Sequence, residues 1–174
     1  MPCYSAKPDA SVEAWNKDSR MLELRPMSLK QANGVVAKWH SHHKPVIGHK
    51  FSVGVFDQEE CEGCVIVSRP VAQALDDGVT FEVTRLCTNG RKNAASMLLG
   101  SAWRASRAMG VRRLVSYTRE DEHGTSYKAA GWLVAGKVKG RPWVTGNKVQ
   151  RWLPGLYTPS TEIVDRVRWE ISRQ

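Results

Sequence analysis

The chain predicts a mixed α/β (α+β) fold, one sheet with helices laid on its faces. Three observations carry this. Its 174 residues are 41% hydrophobic and 25% charged, the size and composition of one globular domain with a full core. Segments of period two alternate with segments of helical period in the order strand, helix, hairpin, strand, helix, strand, helix, strand, strand. The clearest helix, residues 93–109, lies between two runs rich in β-formers.

In chain order, residues 1–20 are polar and read as an arm or cover. A domain over 21–157 follows, and 158–174 read as a C-terminal helix on it. Residues 21–25 are a short strand stopped by Pro26. Ser28 stands three residues before Gln31, a capping box, and Leu29, Ala32, Val35, Val36 and Trp39 continue at helical spacing. Residues 51–56 and 64–68 form a hairpin around an acidic turn, and 79–88 are the next strand. Helix 93–109 has one small, apolar face (Ala94, Met97, Leu98, Ser101, Ala102, Ala105, Ala108 and Met109) and stops at Gly110. Residues 111–117 are a strand and 121–130 a short helix; 132–135 and 148–153 are closing strands, and 163–171 a helix.

No apolar run approaches the ~20 residues a membrane span needs. The N-terminus lacks the apolar stretch of a secretory signal, and Cys3, Cys61, Cys64 and Cys87 are too sparse for a disulfide scaffold. These features fit a reducing cytoplasm. The net charge of +9 suggests an anionic partner, either a polyanionic cofactor or nucleic acid. Basic residues gather at Arg104, Arg107, Arg112, Arg113 and Arg119, and again at Lys137, Lys139, Arg141, Lys148 and Arg151 beside Trp143 and Trp152. Such clusters suit a nucleic-acid groove, or simply a solvated surface with tryptophans in a sheet edge.

The junction after strand 79–88 carries the strongest chemical signal. Val79, Phe81 and Val83 alternate to one face, and Leu86 breaks that parity, which implies a β-bulge with unpaired backbone N–H groups. Asn89-Gly90-Arg91-Lys92-Asn93-Ala94-Ala95-Ser96 then opens the best helix. Free N–H groups at a helix start, a glycine for the turn, two cations and small side chains suit a pyrophosphate; a plain basic helix cap is the alternative.

Arg91-Lys92-Asn93-Ala94-Ala95-Ser96 resembles the acyl-CoA loop of Gcn5-related N-acetyltransferases (GNAT), with Ala94 and Ser96 where glycines usually stand. Tyr127-Lys128-Ala129-Ala130-Gly131-Trp132 is similar to the end of that family's following helix, and order and spacing agree over residues 21–153. Trp39-His40-Ser41, Glu82-Val83-Thr84-Arg85-Leu86-Cys87 and His123-Gly124-Thr125-Ser126-Tyr127 resemble the Mom-type DNA-modifying proteins of bacteriophages, GNAT-fold proteins that act on adenine in DNA. The resemblance implies a mostly antiparallel sheet. It also implies a cofactor cleft where strands 79–88 and 111–117 splay, and acetyl-CoA or another acyl-CoA as cofactor. Leu86, Cys87, Arg91, Lys92, Asn93, Ala94, Ala95 and Ser96 would bind it.

Acyl transfer to an amine needs a polarised thioester carbonyl, a base for the amine and an acid for the thiolate. The family position makes Tyr127 the acid; the alternative is a tyrosine packing its helix. Glu82 points opposite to Phe81 and Val83, as base or orienting carboxylate, or as a surface glutamate paired with arginine. His40, with Ser41, His42 and His43, forms an unusual polar cluster: His40 is a second candidate base, and Ser41, His42, His43 and Arg85 are candidate substrate contacts. A solvated loop or metal ligation are the lesser readings, and no metal is expected; Cys61-x-x-Cys64 reads as structural. The resulting expectation is an acyl-CoA-dependent transferase acting on a nucleobase or nucleic acid. The alternatives are an ordinary N-acetyltransferase for a small amine or protein lysine, and a catalytically silent nucleic-acid-binding module. Monomer and dimer stay open.

Overall fold

The computed structural model describes residues 21–39, 45–140 and 164–173. Within them, strands β1 (Glu23–Met27), β2 (Phe51–Asp57), β3 (Glu60–Ser68), β4 (Thr80–Thr88), β5 (Arg113–Arg119), β6 (Leu133–Val138) and β7 (Arg166–Ser172) form one sheet in the order β1-β2-β3-β4-β5-β7-β6. All neighbours are antiparallel except β4 and β5. The helices are α1 (Leu29–Trp39), α2 (Ala94–Ala108) and α3 (Thr125–Ala129).

The helices sit on opposite faces, as their apolar spacing dictates. The capping box is made: Ser28 N–H donates to Gln31 Oε1 at 2.9 Å, and Gln31 N–H to Ser28 Oγ at 3.3 Å. Ala32 and Val36 of α1 then bury against Cys64, Ile66 and Cys87 on one face. On the other, Ala94, Leu98, Leu99 and Ala102 of α2 pack on Val55, Val65, Val67, Phe81 and Val83. Leu98 and Leu99 are fully buried, worth roughly 1.5–3 kcal/mol each by area. The small residues of α2 let its backbone lie close to the sheet. On the same face, α3 sets Tyr127 beside Trp132 and Trp169.

Four expectations change. β1 runs through Pro26 to Met27; it is an edge strand, where a missing N–H costs no ladder bond. The helix expected over 121–130 contracts to Thr125–Ala129, because Gly124 takes φ 61 ahead of it. β6 extends to Val138. The terminal helix is wrong: residues 166–172 are strand β7, inserted between β5 and β6. The two-residue alternation of Val167, Trp169 and Ile171 faces the core, and Trp169 is 3% exposed. The arm 1–20, the cluster His40–Lys44 and the expected strand 148–153 lie outside the described residues.

Candidate active site

The sheet opens between β4 and β5. Their parallel ladder runs from Thr80↔Arg113 to Val83↔Ser116 and stops. At that point the β3–β4 register shifts: Val67 opposes Val83 and Ile66 opposes Arg85, leaving Thr84 as the extra residue. The bulge explains the parity break. Phe81, Val83 and Leu86 all reach the α2 face, while Cys87 turns to α1 with Cys64. It also sorts the backbone donors. Asn89 N–H donates to the Glu62 carbonyl at 3.0 Å. Alternation along an antiparallel ladder then turns Cys87 N–H to β3, and Leu86 N–H into the opening. Of the two predicted donors, Leu86 N–H is the one turned away from β3.

The loop into α2 is built on buried carboxylates that sequence reading missed. Asn89 Nδ2 donates to Glu62 Oε2 at 2.6 Å, and Glu62 is 1% exposed. Gly90 takes φ 93 and Asn93 φ 64, so the chain turns twice in the left-handed region before the helix starts. Arg91, expected to face an anion, instead points inward. Its Nη2 lies 3.7 Å from Asp57 Oδ2, and both side chains are almost wholly buried. Its charge anchors the loop to the end of β2. Lys92 and Asn93 remain exposed at the helix start, Ala94 is buried in the core, and Ala95 and Ser96 are half-buried. Ser96 Oγ donates to the Asn93 carbonyl at 3.0 Å.

Tyr127 stands at the apex of the opening. Its hydroxyl lies 2.8 Å from Ser116 Oγ, and Ser116 is the last β5 residue paired with β4. Ser116 Oγ itself donates to the Val83 carbonyl at 3.4 Å, so Tyr127 is the donor between the two hydroxyls. The ring stacks on Trp169 at 5.2 Å and meets Trp132 edge-on at 5.5 Å. Burial pushes the phenol up to about 12, so it stays protonated at neutral pH. Ser116 was not anticipated; a lone hydroxyl within the apolar stretch Leu114-Val115-Ser116 is the signal that marks it.

Glu82 lies on the opposite face from Phe81 and Val83, as the alternation predicts, and is 6% exposed. Its Oε2 accepts the Val71 N–H at 2.8 Å. Burial lifts its carboxyl above the ordinary value, opposed by that N–H and by Arg166 and Arg85. Arg85 is half-buried beside it, and burial lowers its guanidinium. Cys61 and Cys64 do not pair. Cys64 Sγ instead sits 3.6 Å from Cys87 Sγ, and that thiol contact holds Cys87 below its ordinary value. Among the described residues, no three His, Cys, Asp or Glu side chains are placed to hold a metal ion. No helix among them is long and apolar enough to cross a membrane.

Solved structures that share this architecture include acetyltransferases. An N-acetyltransferase from Staphylococcus aureus superposes with a TM-score of 0.62 at 13% identity, over 87% of this chain and 98% of its own. Arabidopsis thaliana NAA60 in complex with acetyl-CoA gives 0.62 at 11% identity, over 88% and 100%. A Bacillus subtilis acetyltransferase in complex with CoA gives 0.59 at 11% identity, over 88% and 98%. The split sheet, the bulged β4 and the helix that follows it define a GNAT fold. No curated protein sequence matches the chain. Residues 21–151 match the model of the Mom protein family, and the chain belongs to that family.

Proposed function

We propose that this protein is an acyl-CoA-dependent transferase that modifies a nucleobase in nucleic acid. One observation carries the reading. At the point where β4 and β5 part, a protonated tyrosine hydroxyl is held on Ser116 on one face of the sheet, and the buried carboxyl of Glu82 lies on the other. An acyl-CoA, when bound, supplies an activated thioester. The residues fit such a group: the β4–β5 ladder stops at Val83↔Ser116, and the start of α2 carries small side chains and exposed Lys92. Leu86 N–H is directed to stabilise negative charge in the opening. Tyr127 holds a proton that it can turn from Ser116 to a leaving thiolate. Glu82, or His40 from the polar cluster that follows α1 in the chain, takes the proton from the acceptor amine. Membership of the Mom family and the net charge of +9 support nucleic acid as the acceptor.

The cofactor and the substrate are tested separately. Thermal unfolding with acetyl-CoA reads the first: at a hundredfold excess over Kd the stabilisation is about 2.7 kcal/mol, and no shift at millimolar ligand overturns the acyl-CoA reading. Mass spectrometry of nucleosides from DNA of cells expressing the protein reads the second, where a new modified nucleoside is expected. An unchanged profile beside a clear acetyl-CoA shift leaves the transferase reading and removes the nucleobase.

A further inference from the structure

The face of the sheet that carries Glu82 continues across β5 and β7 as a row of charges. Register places Val115 and Tyr117 of β5 opposite Glu170 and Arg168 of β7 on that side, with Arg166 one pair further on. α1 covers β2, β3 and β4 on this face, and α2 and α3 pack on the other. The side chains form one electrostatic cluster. Arg166 and Arg85 both act on Glu82. Burial raises the Tyr117 phenol, with Glu82 and Glu170 adding to it and Arg168 opposing. Arg168 Nε and Glu170 Oε1 are ion-paired at 3.0 Å with both atoms out of solvent.

We infer that Tyr117, Arg166, Arg168 and Glu170, with Glu82 and Arg85, form the acceptor floor, and that it selects a nucleotide over a cationic alkylamine. The inference rests on the transferase reading above and deepens its substrate half. Three guanidiniums face two carboxylates here, so the floor carries excess positive charge. A protonated alkylamine would bring another cation to carboxylates already engaged by arginines. A nucleotide brings the opposite: a phosphate for Arg166, a neutral ring to lie on the half-buried Tyr117, and edge donors and acceptors for Glu170 and Arg168.

The test uses the full chain, a short fluorescein-labelled single-stranded DNA and fluorescence anisotropy, with the acetyl-CoA thermal shift measured on every variant. Arg166→Gln and Arg168→Gln together are expected to weaken DNA binding roughly tenfold and to lower the salt slope by about one to two. Arg166→Gln alone, at an exposed position, gives a smaller loss in the same direction. Arg104→Gln with Arg107→Gln removes the same charge from α2 on the opposite side of the sheet, and binding stays within about twofold. Butylamine, a monocationic alkylamine that barely competes for DNA phosphates at low millimolar concentration, does not displace the DNA, whereas an unlabelled oligonucleotide does. Equal losses for the two double variants overturn the floor, as do unchanged DNA affinity in the Arg166/Arg168 variant or displacement by butylamine. Either failure with the acetyl-CoA shift intact removes this inference alone; a missing shift in the unaltered protein removes the transferase reading beneath it.

Discussion

Tyr127 and Glu82 differ in how their surroundings set their protons. The Tyr127 hydroxyl is buried between two tryptophans and donates to Ser116. Removing it with Tyr127→Phe keeps the ring packing and deletes the proton. Turnover is expected to fall by about 10²-fold or more, while stability drops by only about 1 kcal/mol. Retained turnover in steady-state kinetics would make Tyr127 a packing residue. Glu82 is a carboxyl whose buried position disfavours its charge. If it is the base, activity rises with pH through a value above the ordinary carboxylate range. Glu82→Gln flattens that acid limb and lowers kcat/KM. Stability at neutral pH is not reduced, because the glutamine oxygen still accepts the Val71 N–H. An acid limb unchanged in the variant would assign the base elsewhere, with His40 next in line.

At the scale of elements, the β4–α2 junction depends on more than its own residues. Arg91 is held by Asp57 from the end of β2, and Asn89 by Glu62 from β3. Arg91→Ala would leave Asp57 buried without its cation, a loss of roughly 3–5 kcal/mol. Chemical denaturation should show that loss even without ligand. An Arg91→Ala protein of normal stability but reduced acetyl-CoA affinity would return the arginine to the phosphate role that its place in the motif suggests. Gly124 is tied in a similar way. It sits at φ 61 against Trp169, where a Cβ would fall inside the indole, so the start of α3 is shaped by β7.

For the whole molecule, buried Tyr127 sets a limit on alkaline stability. An unfolded tyrosine loses its proton near pH 10, whereas the folded protein holds this one to about 12. Between those values the unfolded state binds fewer protons, so stability is complete below pH 10 and falls as pH rises towards 12, by roughly 2–3 kcal/mol. Denaturation midpoints across that range should show the slope, and Tyr127→Phe should lack this component.

The split in the sheet was legible in the residues. Phe81 and Val83 alternate, Leu86 breaks step, and a bulge is the local way to keep all three on one face. The capping box of α1 and the small face of α2 were equally local, set by spacing within a dozen residues. The inward turn of Arg91 was not, because Asp57 lies 34 residues earlier in the chain and only sheet pairing brings it near. Nor was β7, whose alternating Val167, Trp169 and Ile171 become a strand by inserting between β5 and β6. Its other face puts Arg166, Arg168 and Glu170 beside Glu82. The sequence by itself determined the fold class, the bulged strand and the helix that follows it, since these follow from periodicity and short-range sterics. Tertiary structure alone decided which charges anchor the loop and which face the opening, because electrostatic partners are chosen by proximity in space and not by spacing along the chain.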